Sequence, residues 1–316
     1  MKKSYKLSIV TPMFNESESI SAFIETMKEA LSKLTENFEI VCINDGSRDS
    51  TLQELKQEHR KDIRIKIVSF SRNFGKEVAL TAGLNYASGD AVIPMDCDLQ
   101  DPPELIGQMI EKWQEGYDVV LGKRVDRSSD GAFKRQSASW FYKLLGSLSD
   151  IKIPENVGDF RLMDKRVVDQ LKLYPERNRF MKGIFASLGF KQYEMDYVRP
   201  KRHAGETKFN LLKLYKLAIE GVVSFSSLPL KIWSYLGFMI SLGSMFYGIV
   251  LIFKTLFWGI DVPGYASLMV TNLIMSGIML MGIGIVGEYI ARIFIEVKAR
   301  PLYIISETLG FSDDGN

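Results

Sequence analysis

Two long apolar runs, residues 232–253 and 268–287, constrain this chain more than any other feature. Between Ile232 and Gly287 the only charged residues are Lys254 and Asp261. Each run holds about 20 residues, which at 1.5 Å rise per residue spans the roughly 30 Å hydrocarbon core of a bilayer. Helices buried in soluble proteins are rarely so long and so free of charge, so two membrane spans are the economical reading. The flanks are basic, with Lys208, Lys213, Lys216 and Lys231 before the first run and Arg292, Lys298 and Arg300 after the second. The positive-inside rule then predicts a re-entering hairpin with both termini cytoplasmic.

Apolar residues make up 46% of the 316 positions but are unevenly spread. Before about residue 225 they come in short groups separated by charges, so a soluble domain precedes the hairpin. The expected layout is a cytoplasmic domain over 1–210, an amphipathic juxtamembrane helix over 211–231, two spans near 232–254 and 268–290 within 232–292, and a cytoplasmic tail over 293–316. Met1-Lys2-Lys3 leads directly into a strand pattern, not an apolar h-region, so no cleavable signal peptide is expected. Cys42 and Cys97 are the only cysteines, which fits a reducing compartment and excludes a cysteine-based zinc site. A formal charge of +2 gives no reason to expect a nucleic-acid partner.

Within the soluble part, strand and helix patterns alternate. Residues 7–10, 38–43, 65–70 and 91–95 read as strands, and 17–34, 50–59 and 76–86 as helices. A helix to about residue 115, a strand near 118–121, a basic loop over 123–135, a helix over 140–148 and a strand-like element over 158–163 follow. Alternation of this kind predicts an α/β, mostly parallel, doubly wound sheet. Ligands bind such sheets beyond the carboxyl ends of the strands. Residues 12–16, 44–47, 71–76 and 96–101 all fall at those ends.

The chemistry-bearing residues lie in these segments. In Asp96-Cys97-Asp98, alternate residues of an extended strand face the same way, so both carboxylates can share one cation, with Gln100 as a third oxygen donor. Hard oxygen ligands suit Mg²⁺ or Mn²⁺ on a diphosphate, although an Asp-x-Asp also occurs as a solvated turn. Asp45, in the turn Asn44-Asp45-Gly46-Ser47, either accepts from a base or ribose or simply closes the turn. Asn15 and Glu16, after Pro12, are placed to hydrogen-bond a nucleoside. Asp159 is either an ion-pair partner of Arg161 or the group that orients or deprotonates an acceptor. Arg124 and Arg135, with Ser139 one helical turn further on, are phosphate-ligand candidates. Arg202 and Lys208 fall in a glycine-containing basic segment that either closes on a diphosphate or rests on anionic lipid.

The strings 10–16 (VTPMFNE), 44–47 (NDGS), 71–77 (SRNFGKE), 96–102 (DCDLQDP), 158–161 (GDFR) and 204–208 (AGETK) together resemble the family 2 glycosyltransferases that charge polyprenyl phosphate. The likeness is greatest to the bactoprenol glucosyltransferase branch, related to dolichyl-phosphate mannose synthase, and it continues through 261–265 and 287–292 in the hairpin. It implies a GT-A fold and inverting transfer of a sugar, UDP-glucose being the first-choice donor and UDP-GlcNAc an alternative, to undecaprenyl phosphate. It places a divalent metal on Asp96, Asp98 and Gln100, and uridine near Pro12, Asn15, Glu16, Asp45 and Asp96. Arg124, Arg135 and Ser139 fall at the acceptor phosphate, Arg202 and Lys208 at the diphosphate, and Asp159 is the base. A bacterial inner-membrane location, a homo-oligomer (a tetramer by analogy) and use of the lipid-linked sugar on O-antigen or another surface polymer are further implications. Asn44 stands where many relatives carry a second Asp, which weakens any role for charge at that position.

Overall fold

The structure, a computed structural model, describes residues 5–125, 157–177, 179, 181–198, 228–258 and 264–311. The expected helix over 140–148, the part of the juxtamembrane helix expected over 211–231 that precedes residue 228, and site candidates Arg135, Ser139, Arg202 and Lys208, lie outside the described residues.

Four strands form the centre: β1 (Leu7–Met13), β2 (Phe38–Asn44), β3 (Ile65–Phe70) and β4 (Ala91–Pro94). Their residues are buried almost without exception, as expected of strands covered on both faces and hence apolar along their whole length. They pair in parallel, β1 lying between β2 and β4 and β3 beyond β2. β5 (Val119–Arg124), β6 (Val157–Asp164) and β7 (Gln192–Tyr197) extend the sheet, with β6 antiparallel to both β4 and β5. With β8 (Ile305–Leu309) the order is β7-β5-β6-β4-β1-β2-β3-β8. This is the mostly parallel α/β sheet that the alternating pattern predicts.

Helices cover both faces. On one, α1 (Ile20–Ser32) presents Ile20, Phe23, Ile24, Met27 and Leu31, spaced three and four apart, to a core shared with α2 (Thr51–Lys61) and α4 (Leu105–Gln114). On the other, α3 (Lys76–Tyr86) packs with α5 (Lys165–Lys172) and α6 (Met181–Ser187). α3 sits so close to the sheet that a side chain at Gly83 would collide with Val10.

The apolar runs form α7 (Leu228–Trp258) and α8 (Tyr265–Val297), of 31 and 33 residues. Residues 232–250 and 267–297 within them are long and apolar enough to cross a membrane, and side chains such as Phe238, Met245, Leu273 and Met279 are exposed. Trp233 of α7 packs where a side chain at Gly282 of α8 would stand.

The segment after α8, read from sequence only as a tail, returns to the central sheet. β8 pairs antiparallel with β3, Tyr303 stacks on Phe70 with ring centroids 5.0 Å apart, and the Ser71 N–H donates to the Ile304 carbonyl. Near the start of that segment, the Arg177 N–H donates to Glu296 at 2.8 Å and its Nε to the Arg300 carbonyl at 2.8 Å. The last turns of α8 are thereby tied to the soluble domain.

Candidate active site

The carboxyl ends of β1, β2, β3 and β4 carry the segments the sequence singles out. After Pro12 in β1, Asn15 adopts the left-handed conformation (φ 55), which Asn tolerates better than most side chains. Its N–H donates to Ser47 Oγ and its Oδ1 accepts from the Arg48 N–H at 2.9 Å, joining the β1 and β2 ends. The neighbouring Glu16 receives Ser19 Oγ at 3.3 Å. Burial pushes its carboxyl above the usual range, and the charges of Asp98 and Asp96 act in the same direction against hydrogen bonds from Ser19 and Cys97. Glu16, Asp96 and Asp98 thus share one acidic pocket.

Asp45 is buried, and its carboxylate accepts from Asn73 Nδ2 at 2.9 Å, the Phe74 N–H at 2.7 Å and the Gly75 N–H at 2.9 Å. Gly46 beside it has φ 63, and a Cβ there would collide with the backbone of Arg72 and Asn73. In this structure Asp45 therefore anchors the loop that opens α3.

Lys76, the first residue of α3, is what that loop presents. Its Nζ lies 2.7 Å from Asp96 Oδ1 and 2.9 Å from Oδ2, and 2.8 Å from Asp159 Oδ2. β4 and β6 are adjacent in the sheet, so one ammonium spans the two strand ends. Burial favours the neutral amine, but Asp159 and Asp96 together outweigh it and hold Lys76 charged. Asp159 is thus ion-paired with Lys76. Arg161, two residues along β6, turns instead into the core: it donates to the Gly158 carbonyl at 2.6 Å and lies 4.0 Å over the Phe185 ring. Burial lowers Arg161 to about 10, with Asp159 and Glu77 opposing.

Past β4, the Gln100 N–H donates to Asp98 Oδ1 at 3.1 Å in a turn whose middle residue, Leu99, has φ 52. Gln100 and Asp101 are buried. Asp101 accepts from the Tyr197 hydroxyl at 2.6 Å, and that hydroxyl accepts from Arg124 Nε at 3.1 Å. Burial and Asp101 push Tyr197 up to about 12 against the pull of Arg124. Burial acts to lower Arg124, yet Tyr197, Asp101 and Asp96 leave it raised, a fixed cation beside the acidic pocket.

Among the described candidates, then, Glu16, Asp96, Asp98, Asp159 and Arg124 converge, Asn15 and Pro12 line the β1 end, and Asp45 lies beneath. Lys76, Asp101 and Tyr197 were not expected from sequence. Lys76 stood within a noted string at a strand end, whereas nothing local flags Tyr197, 96 residues from its partner.

Among the described residues no three His, Cys, Asp or Glu side chains form a closed cation cage. The carboxylate oxygens of Asp96 and Asp98 are hard donors of the kind a Mg²⁺-like ion takes when phosphate oxygens and water complete its shell.

The mostly parallel sheet with helices on both faces, and Asp96 and Asp159 brought together where β4 ends and β6 begins, is a GT-A-like α/β fold. Residues 8–172 match the family described as Glycosyl transferase family 2, and the chain belongs to that family. It is 52% identical over 303 residues to the bactoprenol glucosyl transferase of Shigella phage SfII, covering 96% of this chain and 98% of that one. Glycosyltransferase sll0501 of Synechocystis sp. is 51% identical over 305 residues, covering 96% of each chain. Glycosyltransferase YkcC of Bacillus subtilis is 44% identical over 313 residues, covering 99% of this chain and 97% of that one.

Proposed function

We propose that this enzyme transfers glucose from UDP-glucose to undecaprenyl phosphate with inversion at C1, at the cytoplasmic face of a bacterial membrane. The observation that carries the reading is the meeting of Asp96 and Asp159 across Lys76 at the carboxyl end of β4, in a chain that also has two helices long enough to cross a membrane. Similarity to a bactoprenol glucosyl transferase over nearly the full length supports the lipid acceptor.

Uridine is assigned to Pro12, Asn15, Glu16 and the Asp45 loop. A divalent ion held by Asp96 and Asp98, with Gln100, supplies charge neutralisation for the departing diphosphate. The acceptor phosphate oxygen attacks C1 from the face opposite UDP; the new O–C1 bond forms as the C1–O bond to UDP breaks, its electron pair leaving with UDP. A phosphate monoester has its second pKa near about 6 and is already largely ionised, so Asp159 has little proton to remove. Its work is to fix geometry, and Arg124, with Arg135 and Ser139, is assigned to hold the acceptor phosphate. Arg202 and Lys208 are assigned to the diphosphate. A lipid-linked glucose of this kind suits modification of O-antigen or another surface polymer.

The test is a donor screen on full-length protein in nanodiscs with undecaprenyl phosphate, Mg²⁺ or Mn²⁺, and a panel of UDP- and GDP-sugars, read by mass spectrometry of the lipid. A hexose adduct from UDP-glucose alone is expected. A HexNAc adduct would replace the donor, and no adduct from any sugar would end the transferase assignment to this lipid. Asp98→Ala should abolish turnover in protein that remains folded.

A further inference from the structure

Lys76 contacts both oxygens of Asp96, at 2.7 and 2.9 Å, and Oδ2 of Asp159, at 2.8 Å. An ion that binds Asp96 competes with the ammonium for those oxygens, and the second contact gives the ammonium a place to stay, on Asp159. The exchange needs no local unfolding. The side chain of Lys76 is 47% exposed, and its backbone is fixed from below by the three hydrogen bonds that Asp45 accepts from residues 73–75.

Electrostatics supplies a reason for such a residue. Glu16, Asp96 and Asp98 repel one another in one pocket, and Asp159 adds a fourth carboxylate at its edge. The Lys76 ammonium among them offsets that repulsion, with the Arg124 guanidinium beside the pocket acting in the same direction. A phosphate acceptor approaching Asp159 would meet the same field, which an ammonium on Asp159 offsets.

We propose that Lys76 is a resident counter-cation of the acidic pocket, which yields Asp96 to the divalent ion arriving with the nucleotide sugar and stays on Asp159 to receive the anionic acceptor. This rests on the metal and acceptor assignments made above. It makes Lys76 a competitor of the metal as well as a positioning residue for transfer. The two roles have opposite signatures on removal: metal binding tightens while turnover falls.

The test measures Mn²⁺ binding directly, by electron paramagnetic resonance titration of full-length protein in nanodiscs with and without UDP, alongside kcat and the KM for each substrate. For Lys76→Met, binding of Mn²⁺ is expected to be about tenfold tighter, since a unit charge a few ångströms from the site is removed. Its kcat should fall about 100-fold, with KM rising for the lipid phosphate more than for the donor. Lys76→Arg keeps the charge and should hold Mn²⁺ affinity within about threefold of wild type, which reports on competition even if the methionine variant melts early. Unchanged or weaker Mn²⁺ binding by folded Lys76→Met would overturn the proposal with the metal assignment standing. Absence of Mn²⁺ binding to the wild-type protein, with or without UDP, would remove the metal assignment and the exchange together.

Discussion

Arg124 lies against Gly158 so closely that a Cβ on the glycine would sit 2.8 Å from the guanidinium Nη2. The guanidinium packed on this glycine of β6 approaches Asp101 and donates to the Tyr197 hydroxyl from the other neighbouring strand, β7. The atom it would strike is the end of a flexible side chain, so Gly158→Ala should move Arg124 and leave the fold standing. We expect kcat/KM for the lipid phosphate to drop about 100-fold, as for a misplacement of about 1 Å, with a melting temperature near that of wild type.

Asp45 invites the opposite outcome. Asp45→Ala removes the acceptor for two loop N–H groups and for Asn73, each buried donor left unpaired costing roughly 1–3 kcal/mol. Because Lys76 follows the loop directly, thermal stability and kcat should fall together. A thermal melt beside a turnover assay checks this; a loss of donor affinity alone would return Asp45 to the uridine site.

A pH prediction comes from the far side of the sheet. Burial pushes the Glu39 carboxyl up, but hydrogen bonds from Ser8, Lys6, Lys66 and the Ser88 N–H outweigh it and hold the group at about 2. The ordinary value is 4.5. A carboxylate depressed by folding stabilises the native state fully above its unfolded pKa, and the contribution is lost as pH falls from about 4.5 toward 2. The difference corresponds to about 3 kcal/mol. Glu39→Gln should therefore melt lower than wild type at pH 7, and the gap should narrow below about pH 4.5 and close only near pH 2, in melts followed by tryptophan fluorescence.

The central sheet and the acidic strand ends were legible because each rests on local pattern: continuous apolar strands such as residues 38–43, and polar residues clustered at their carboxyl ends. What was not legible depends on distant partners. Lys76 reads as an ordinary helix-opening residue until β4 and β6 are laid side by side and Asp96 and Asp159 meet across it. The Tyr197–Asp101 bond joins strands that are separate in sequence, and no periodicity records it. β8 is five residues long with alternating burial, too short a signal to stand out after a helix of 33 residues.

That short strand can be tested by itself. Tyr303→Ala removes the stack on Phe70 and the hydrogen bond from Asn85, and with them the hold of residues 305–309 on the β3 edge. Limited proteolysis in nanodiscs should then cut near residues 298–304 several-fold faster than in wild type, while α7 and α8 stay protected. Equal cleavage rates would show that backbone pairing alone holds the strand.

β8 also fixes the order in which this molecule can be finished. The strand that closes the β3 edge lies beyond both apolar helices, so the emerging chain completes four parallel strands long before the fifth neighbour of that group is made. Throughout that interval β3 presents an open row of backbone donors and acceptors, the kind of edge that recruits other chains. A soluble domain cut away before residue 228 would keep that open edge permanently. Placement of the helical hairpin and completion of the catalytic sheet are thus successive steps of one assembly, and the enzyme's own sheet serves as the check that the hairpin has been made.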